Sequence, residues 1–188
     1  MQAIMKRGAN VSLTREVPSL TEVVLGVSWD AGVERDLHND LVVATILCGA
    51  DGRVLSREHL VFFNQLASPD LSVHALDKTL GGDQEQVEVD LAAVPTEIER
   101  VVVVLYVNDG PTRRRSLGQL KVCSIRVLDS RGNAELARSE DFAAVLTTET
   151  ALTLGEIYRR DGGWKFKVLG QGYAGGIAAV ATDYGLQL

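Results

Sequence analysis

The side chains of this chain best suited to chemistry are carboxylates that gather near one glycine pair. Leu80 to Asp90 reads LGGDQEQVEVD, in which Asp83, Glu85, Glu88 and Asp90 follow Gly81 and Gly82. Carboxylates are the hard oxygen ligands that calcium takes, and neighbouring glycines let backbone carbonyls turn toward a cation. The competing description is a solvated strand edge, because charged residues are mostly exposed. A catalytic use of similar acids needs two carboxylates in one cleft with pKa values pushed apart. Asp40, Asp83 and Glu85 are the candidates for that, with Arg113, Arg114 and Arg115 holding an anion.

Other motifs carry less. His38, His59 and His74 are scattered, and none stands at i,i+2 or i,i+4 from another, the spacings that put two imidazoles on one metal. Cys48 and Cys123 each sit inside an apolar run, VVATILC and LKVCSIRV, without a C-x-x-C partner, and read as small buried hydrophobes. Residues 170–175, GQGYAG, match G-x-G-x-x-G after a strand-like segment. The stretch from there to Leu188 leaves no room for a second strand or a ribose-binding acid about 20 residues on. Gly170, Gly172, Gly175 and Gly176 are therefore expected to serve packing. G-x-S-x-G, P-loop and H-E-x-x-H signatures are absent.

These residues need elements to position them, and the dominant hydrophobic period is two. EVVLGVSW, DLVVATIL, HLVFFN, QVEVDL, RVVVVLYV, QLKVCSIRVL, ALTLGEIYR and WKFKVL are short segments rich in Val, Ile, Leu and aromatics. Turn signals separate them: GADG, SPD, DSRGN and RDGG. The pattern predicts an all-β fold, an antiparallel β-sandwich, as a single domain over residues 1–188. A short C-terminal helix is expected in GIAAVATDYG, and DFAAVLTTE has room for a turn or two. VVLGVSWD ending at Asp30 and VVVVLYVND ending at Asp109 are each followed by a polar loop and another strand, at an offset near 79 or 80 residues. Two similar meanders stacked face to face would put both loops at comparable ends of the sandwich.

Composition bounds the partners. With 46% hydrophobic and 23% charged residues, 188 residues can bury a core of their own. The net charge of -6 argues against nucleic acid as a partner. No segment has the length and apolarity of a membrane span, and MQAIMKRGANVSL lacks a signal-peptide core. The expectation is a cytoplasmic protein that is not integral to a membrane.

Several segments in order resemble the TerD family of tellurium-resistance and stress-response proteins. They are KRGANVSL (6–13), GVSWD (26–30), ADGRVLS (50–56), FFNQLASPD (62–70), QVEVDLAAVP (86–95) and GEIYRRDGGWKFKVLGQGYAGG (155–176). The resemblance runs over almost the whole chain. It implies a cytoplasmic β-sandwich without known catalysis that binds calcium through acidic loops and assembles with protein partners of a stress response near the membrane. Carried over by position, the implied calcium set is Asp30, Asp40, Asn64, Asp83 and Glu85, with Asp36 and Asp77 near enough to contribute. The set is eroded: His38 and Val42 stand where the family pattern has acids, and Gln84 replaces another. Calcium affinity follows the number of charged oxygens, so a weakened site is expected. Two other readings stay open, an enzyme using the acidic cleft and an interaction protein without metal.

Overall fold

The structure is a computed structural model that describes residues 4–79 and 81–188. Leu80, the first residue of the acidic segment, lies outside the described residues. The strands are β1 (Ile4–Met5), β2 (Asn10–Ser12), β3 (Glu22–Asp30), β4 (Leu41–Cys48), β5 (Leu60–Val61), β6 (Val73–Ala75), β7 (Glu85–Asp90), β8 (Arg100–Val107), β9 (Val122–Asp129), β10 (Glu135–Ser139), β11 (Ala151–Arg160) and β12 (Gly163–Tyr173). The helices are α1 (Leu13–Glu16), α2 (Arg35–Asp40), α3 (Gly110–Arg113) and α4 (Gly176–Asp183). Two six-stranded sheets, ordered β1-β10-β9-β3-β7-β6 and β2-β12-β11-β8-β4-β5, pack face to face. Every pairing is antiparallel except β1 with β10. The antiparallel sandwich with its short C-terminal helix is thus the architecture observed. The period-two reading missed β1, β2, β6 and β10, all short or rich in polar residues.

Side-chain parity explains which strands alternate. In β7, Val87 and Val89 enter the core between the sheets, while Glu88 and Asp90 face outward and are half-buried. In β8, Val101, Val103, Leu105 and Val107 enter that same core. Val102, Val104 and Tyr106, on the opposite face, join a second apolar cluster with Ala44, Ile46 and Val180 of α4. RVVVVLYV is continuously apolar because α4 covers the outer face of its sheet, whereas β7 has no such cover.

The internal repeat is present in an interlocked form. Each unit crosses between sheets: β3 leads through α2 to β4, and β8 leads through α3 to β9. Exchanging β3 with β8 and β4 with β9 maps the β3–β9 pair onto the β8–β4 pair. Two stacked meanders, as expected from the repeat, would each have stayed within one sheet. The loops after Asp30 and Asp109 do meet at one end, where the Asn108 amide donates to the Asp40 carbonyl at 2.8 Å.

The two thiols are free and buried on different sheets, Cys48 in the cluster under α4 and Cys123 in the central core. Burial pushes the pKa of each up to about 12, so neither is a ready nucleophile. Among the described residues no helix is long and apolar enough to cross a membrane.

The glycines near the end of the chain have distinct roles. Thr153 faces Gln171 while Gly155 faces Val168, so β12 carries an extra residue there, and Gly170 takes φ +77° inside that bulge. A Cβ on Gly170 would lie 2.2 Å from Arg7 Cδ and 3.0 Å from Phe142 Cε1. Gly172 has no positive φ, and its Cβ would meet the Glu149 side chain, which can move. Gly170→Ala is therefore expected to cost about 1–3 kcal/mol in denaturant melts, and Gly172→Ala distinctly less. Equal costs would show that the bulge is not what requires glycine.

Candidate functional site

The loop end is built by two short helices that the core holds in place. α2 is anchored by Leu37, which is 1% exposed in the central core, and this leaves Asp36 and Asp40 toward solvent. α3 is a single turn bracketed by left-handed residues, Asp109 at φ 54° and Arg114 at φ 57°. Arg113 and Arg115 reach α2: Arg113 Nη1 donates to Asp40 Oδ2 at 3.1 Å and Arg115 Nη1 to the same oxygen at 3.3 Å. Arg115 Nη2 donates to Asp36 Oδ2 at 3.3 Å. Two of the three arginines expected to hold an external anion, Arg113 and Arg115, thus meet the chain's own carboxylates. Each of these partly exposed pairs contributes about 0–1 kcal/mol, and together they bridge the two halves of the repeat.

Asp83 lies elsewhere. Its side chain is 2% exposed and sits over the outer face of the first sheet. Arg126 Nε is 3.0 Å from both carboxylate oxygens, and Arg126 Nη2 is 2.9 Å from Oδ2. Ser28 Oγ donates to Oδ1 at 2.9 Å and Gln86 Nε2 to Oδ2 at 2.7 Å. A Cβ at position 26 would fall 2.1 Å from Asp83 Oδ2, so Gly26 in the middle of β3 is what lets the carboxylate lie against the sheet. Next to it, Gln84 accepts from the Trp29 amide at 2.7 Å. The segment after the glycine pair is a staple across β3 and β9.

Glu85 faces the other way, in register with inward-facing Val27. It lines a cavity of about 410 Å³ where the edges of the two sheets approach. Asp40 and Asn39 of α2, Asn108 and Asp77 also line it, and Phe62, Phe63, Leu66 and Leu76 supply apolar lining. Burial pushes the pKa of the Glu85 carboxyl up from its ordinary value.

Of the residues expected to bind calcium, the structure brings Asp40 and Glu85 to one cavity and separates the other three. Asp83 is bound to Arg126 on the outer face. Asp30 caps its own turn, its Oδ1 accepting from the Gly32 amide at 2.7 Å. Asn64 is exposed at the tip of the tight turn between Phe62 and Gln65. The donor atoms at the cavity are of the right kind, but Asp40 already carries two guanidinium contacts. Among the described residues no three His, Cys, Asp or Glu side chains converge as a metal group does. The arrangement does not fit a calcium cage of six to eight oxygens. Sequence reasoning missed Arg126, whose only signal was a lone charge inside the apolar run VCSIRVL. It also missed the role of Phe62 and Phe63, which read there as strand.

Comparison with known proteins agrees with this architecture. The family model described as "TerD domain" matches residues 1–184. A tellurium resistance protein TerD from Serratia marcescens is 38% identical over 190 residues, covering 99% of this chain and 98% of that protein. General stress protein 16U of Bacillus subtilis (strain 168) is 38% identical over 193 residues, covering all of both. A crystal structure of a homologue of telluride resistance protein from Streptomyces coelicolor A3(2) superposes with a TM-score of 0.67 over 90% of this chain and 100% of that one. At 22% identity that likeness shows the fold alone.

Two variants test the separate duties of the neighbouring acids. Asp83→Ala removes a buried acceptor shared by Arg126, Ser28 and Gln86 and is expected to cost about 2–4 kcal/mol in urea unfolding. Glu85 is the opposite case. Its folded pKa is raised, so in the window between the unfolded and the folded value the folded chain holds more protons. Its charge therefore lowers stability above that window and not below it. Glu85→Gln should melt higher than the parent at neutral pH and equal to it in acid below the ordinary glutamate range. A Glu85→Gln protein that melts lower at neutral pH would show a stabilising partner for that carboxylate.

Proposed function

The chain belongs to the TerD family, and on that premise we propose that it is a non-enzymatic interaction module of a stress response, its loop end held by arginine charge where the resemblance implies calcium. The observation that carries this reading is the double guanidinium contact on Asp40, at 3.1 and 3.3 Å. Two fixed positive charges beside Asp36 and Asp40 supply the neutralisation that a divalent cation would otherwise bring. Support for a non-catalytic role comes from how the candidate acids and bases are used. Of the three candidate acids, Asp40 is spent on Arg113 and Arg115 and Asp83 on Arg126, which leaves Glu85 without either as a free catalytic partner; His38 Nδ1 accepts from Trp29 Nε1 at 3.2 Å. The relatives named for tellurium resistance and general stress support the stress-response setting. On this reading the protein works in the cytoplasm with protein partners, without nucleic acid.

Thermal melts in chelator and in calcium test it. If calcium binds only with a dissociation constant of ~10 mM or weaker, ~1 mM calcium adds less than about 0.1 kcal/mol, a shift below about 1 °C. The double variant Arg113→Gln, Arg115→Gln should melt lower by about 2–4 °C, from loss of roughly 1 kcal/mol of ion pairing. It should also respond more to calcium than the parent does, because Asp36 and Asp40 are then uncovered. A shift of about 3 °C or more for the parent at ~1 mM calcium overturns the reading and returns the loop end to calcium.

A further inference from the structure

The cavity beside Glu85 has a feature that the arginine bridge leaves unused. Asp77 and Glu85 stand on its wall, and among the described residues neither carboxylate has a hydrogen bond or an ion pair. Several other acids have partners: Asp36 and Asp40 arginine, Asp83 Arg126, and Glu88 the Ser130 hydroxyl, which donates at 3.3 Å. Much of the remaining lining is aromatic and aliphatic. Phe62 and Phe63 meet edge to face with ring centroids 5.2 Å apart, and Phe63 and Leu66 are 54% and 53% exposed at the rim. Val42 and Val43 of β4 also line it. Carboxylates and aromatic rings in one cavity with an apolar lining form the environment that recognises an organic cation on a hydrocarbon stem. The charge that complements two unpaired carboxylates is positive, and the rim offers apolar contact to whatever carries it.

We propose that this cavity is a docking site for a lysine or arginine side chain of a partner protein, presented next to an apolar residue that packs on Phe63 and Leu66. The proposal rests on the interaction-module reading and gives that partner its chemistry. The hydrocarbon stem lies along Phe62 and Val43, the charged head reaches Glu85 and Asp77, and the neighbouring apolar residue covers the rim. The head also restores a counter-charge to Glu85, whose burial otherwise disfavours its ionised form. Asp40, Asp77, Arg113 and Arg115 are the other charged groups at that end.

The test is an NMR titration of the whole chain with an N-acetylated leucine–lysine–leucine tripeptide amide, set beside the same peptide with norleucine in place of lysine. Saturable shifts at the Phe63, Leu66 and Glu85 amides are expected from the lysine peptide, with affinity reduced about tenfold or more for norleucine. Glu85→Gln should weaken the lysine peptide by a similar factor and leave the norleucine peptide unchanged, because the variant removes charge and not shape. Asp161→Asn, in the β11–β12 turn at the far end, should change neither. Equal binding of the two peptides, equal binding by Glu85→Gln, or no saturable shift overturns the docking site. Butylamine in place of the peptide distinguishes a free amine: if it binds as tightly, the site takes small cations and the partner-protein assignment fails. A calcium arm separates the two readings. Inert calcium with no peptide binding removes the docking site alone, whereas calcium that raises the melting point and displaces the peptide removes the arginine-held reading and the docking site together.

Discussion

Burial of alternate side chains between two sheets is the constraint on which the rest of this structure depends. It fixes the register of β3 against β9 and of β4 against β8, because a slip by one residue would turn every core valine outward. Those two pairs interlock the halves of the repeat, since each half contributes one strand to each sheet. The loops after Asp30 and Asp109 then have no choice of position. Both leave the sandwich at the same end, where residues about 75 positions apart in sequence can form ion pairs.

The same parity rule divides the acidic segment. Within β7, residues two apart share a face, so Glu85 points inward with Val87 and Val89. Asp83 precedes the strand, beyond the bend at Gln84, and escapes that rule. It crosses to the outer face and takes Arg126, with Gly26 making the space. Two carboxylates that look like a pair in the sequence therefore do unrelated work, one as a buried staple and one as an unpaired charge on a cavity wall. Electrostatic worth differs accordingly: the Asp83–Arg126 pair is desolvated and costly to break from one side, while the Asp36 and Asp40 pairs are wet and individually small.

The cavity follows from sheet edges rather than from any motif. β5 and β6 are two and three residues long and end their respective sheets. Between them the tight turn at Phe62–Gln65 pushes Phe63 and Leu66 outward, so the sandwich is incompletely closed there. Short edges limit strand addition by a partner, which leaves side-chain capture as the mode of contact that this corner favours.

The sequence by itself determined the fold class, the principal strands, the terminal helix and the burial of both cysteines, because hydrophobic period and turn chemistry are local and are written in neighbouring residues. It also carried the family, through segments spread over most of the chain. It did not determine partnership among charges. Whether Arg115 meets an external anion or Asp40, and whether Asp83 meets a metal or Arg126, depends on which distant strands lie side by side. That is set by the crossing of each repeat unit between sheets, which has no local signature. Position matching grouped Asp30, Asp40, Asn64, Asp83 and Glu85 as one set. Only the tertiary structure could divide them, because strand parity and the bend before β7 send adjacent acids to opposite faces of the same sheet.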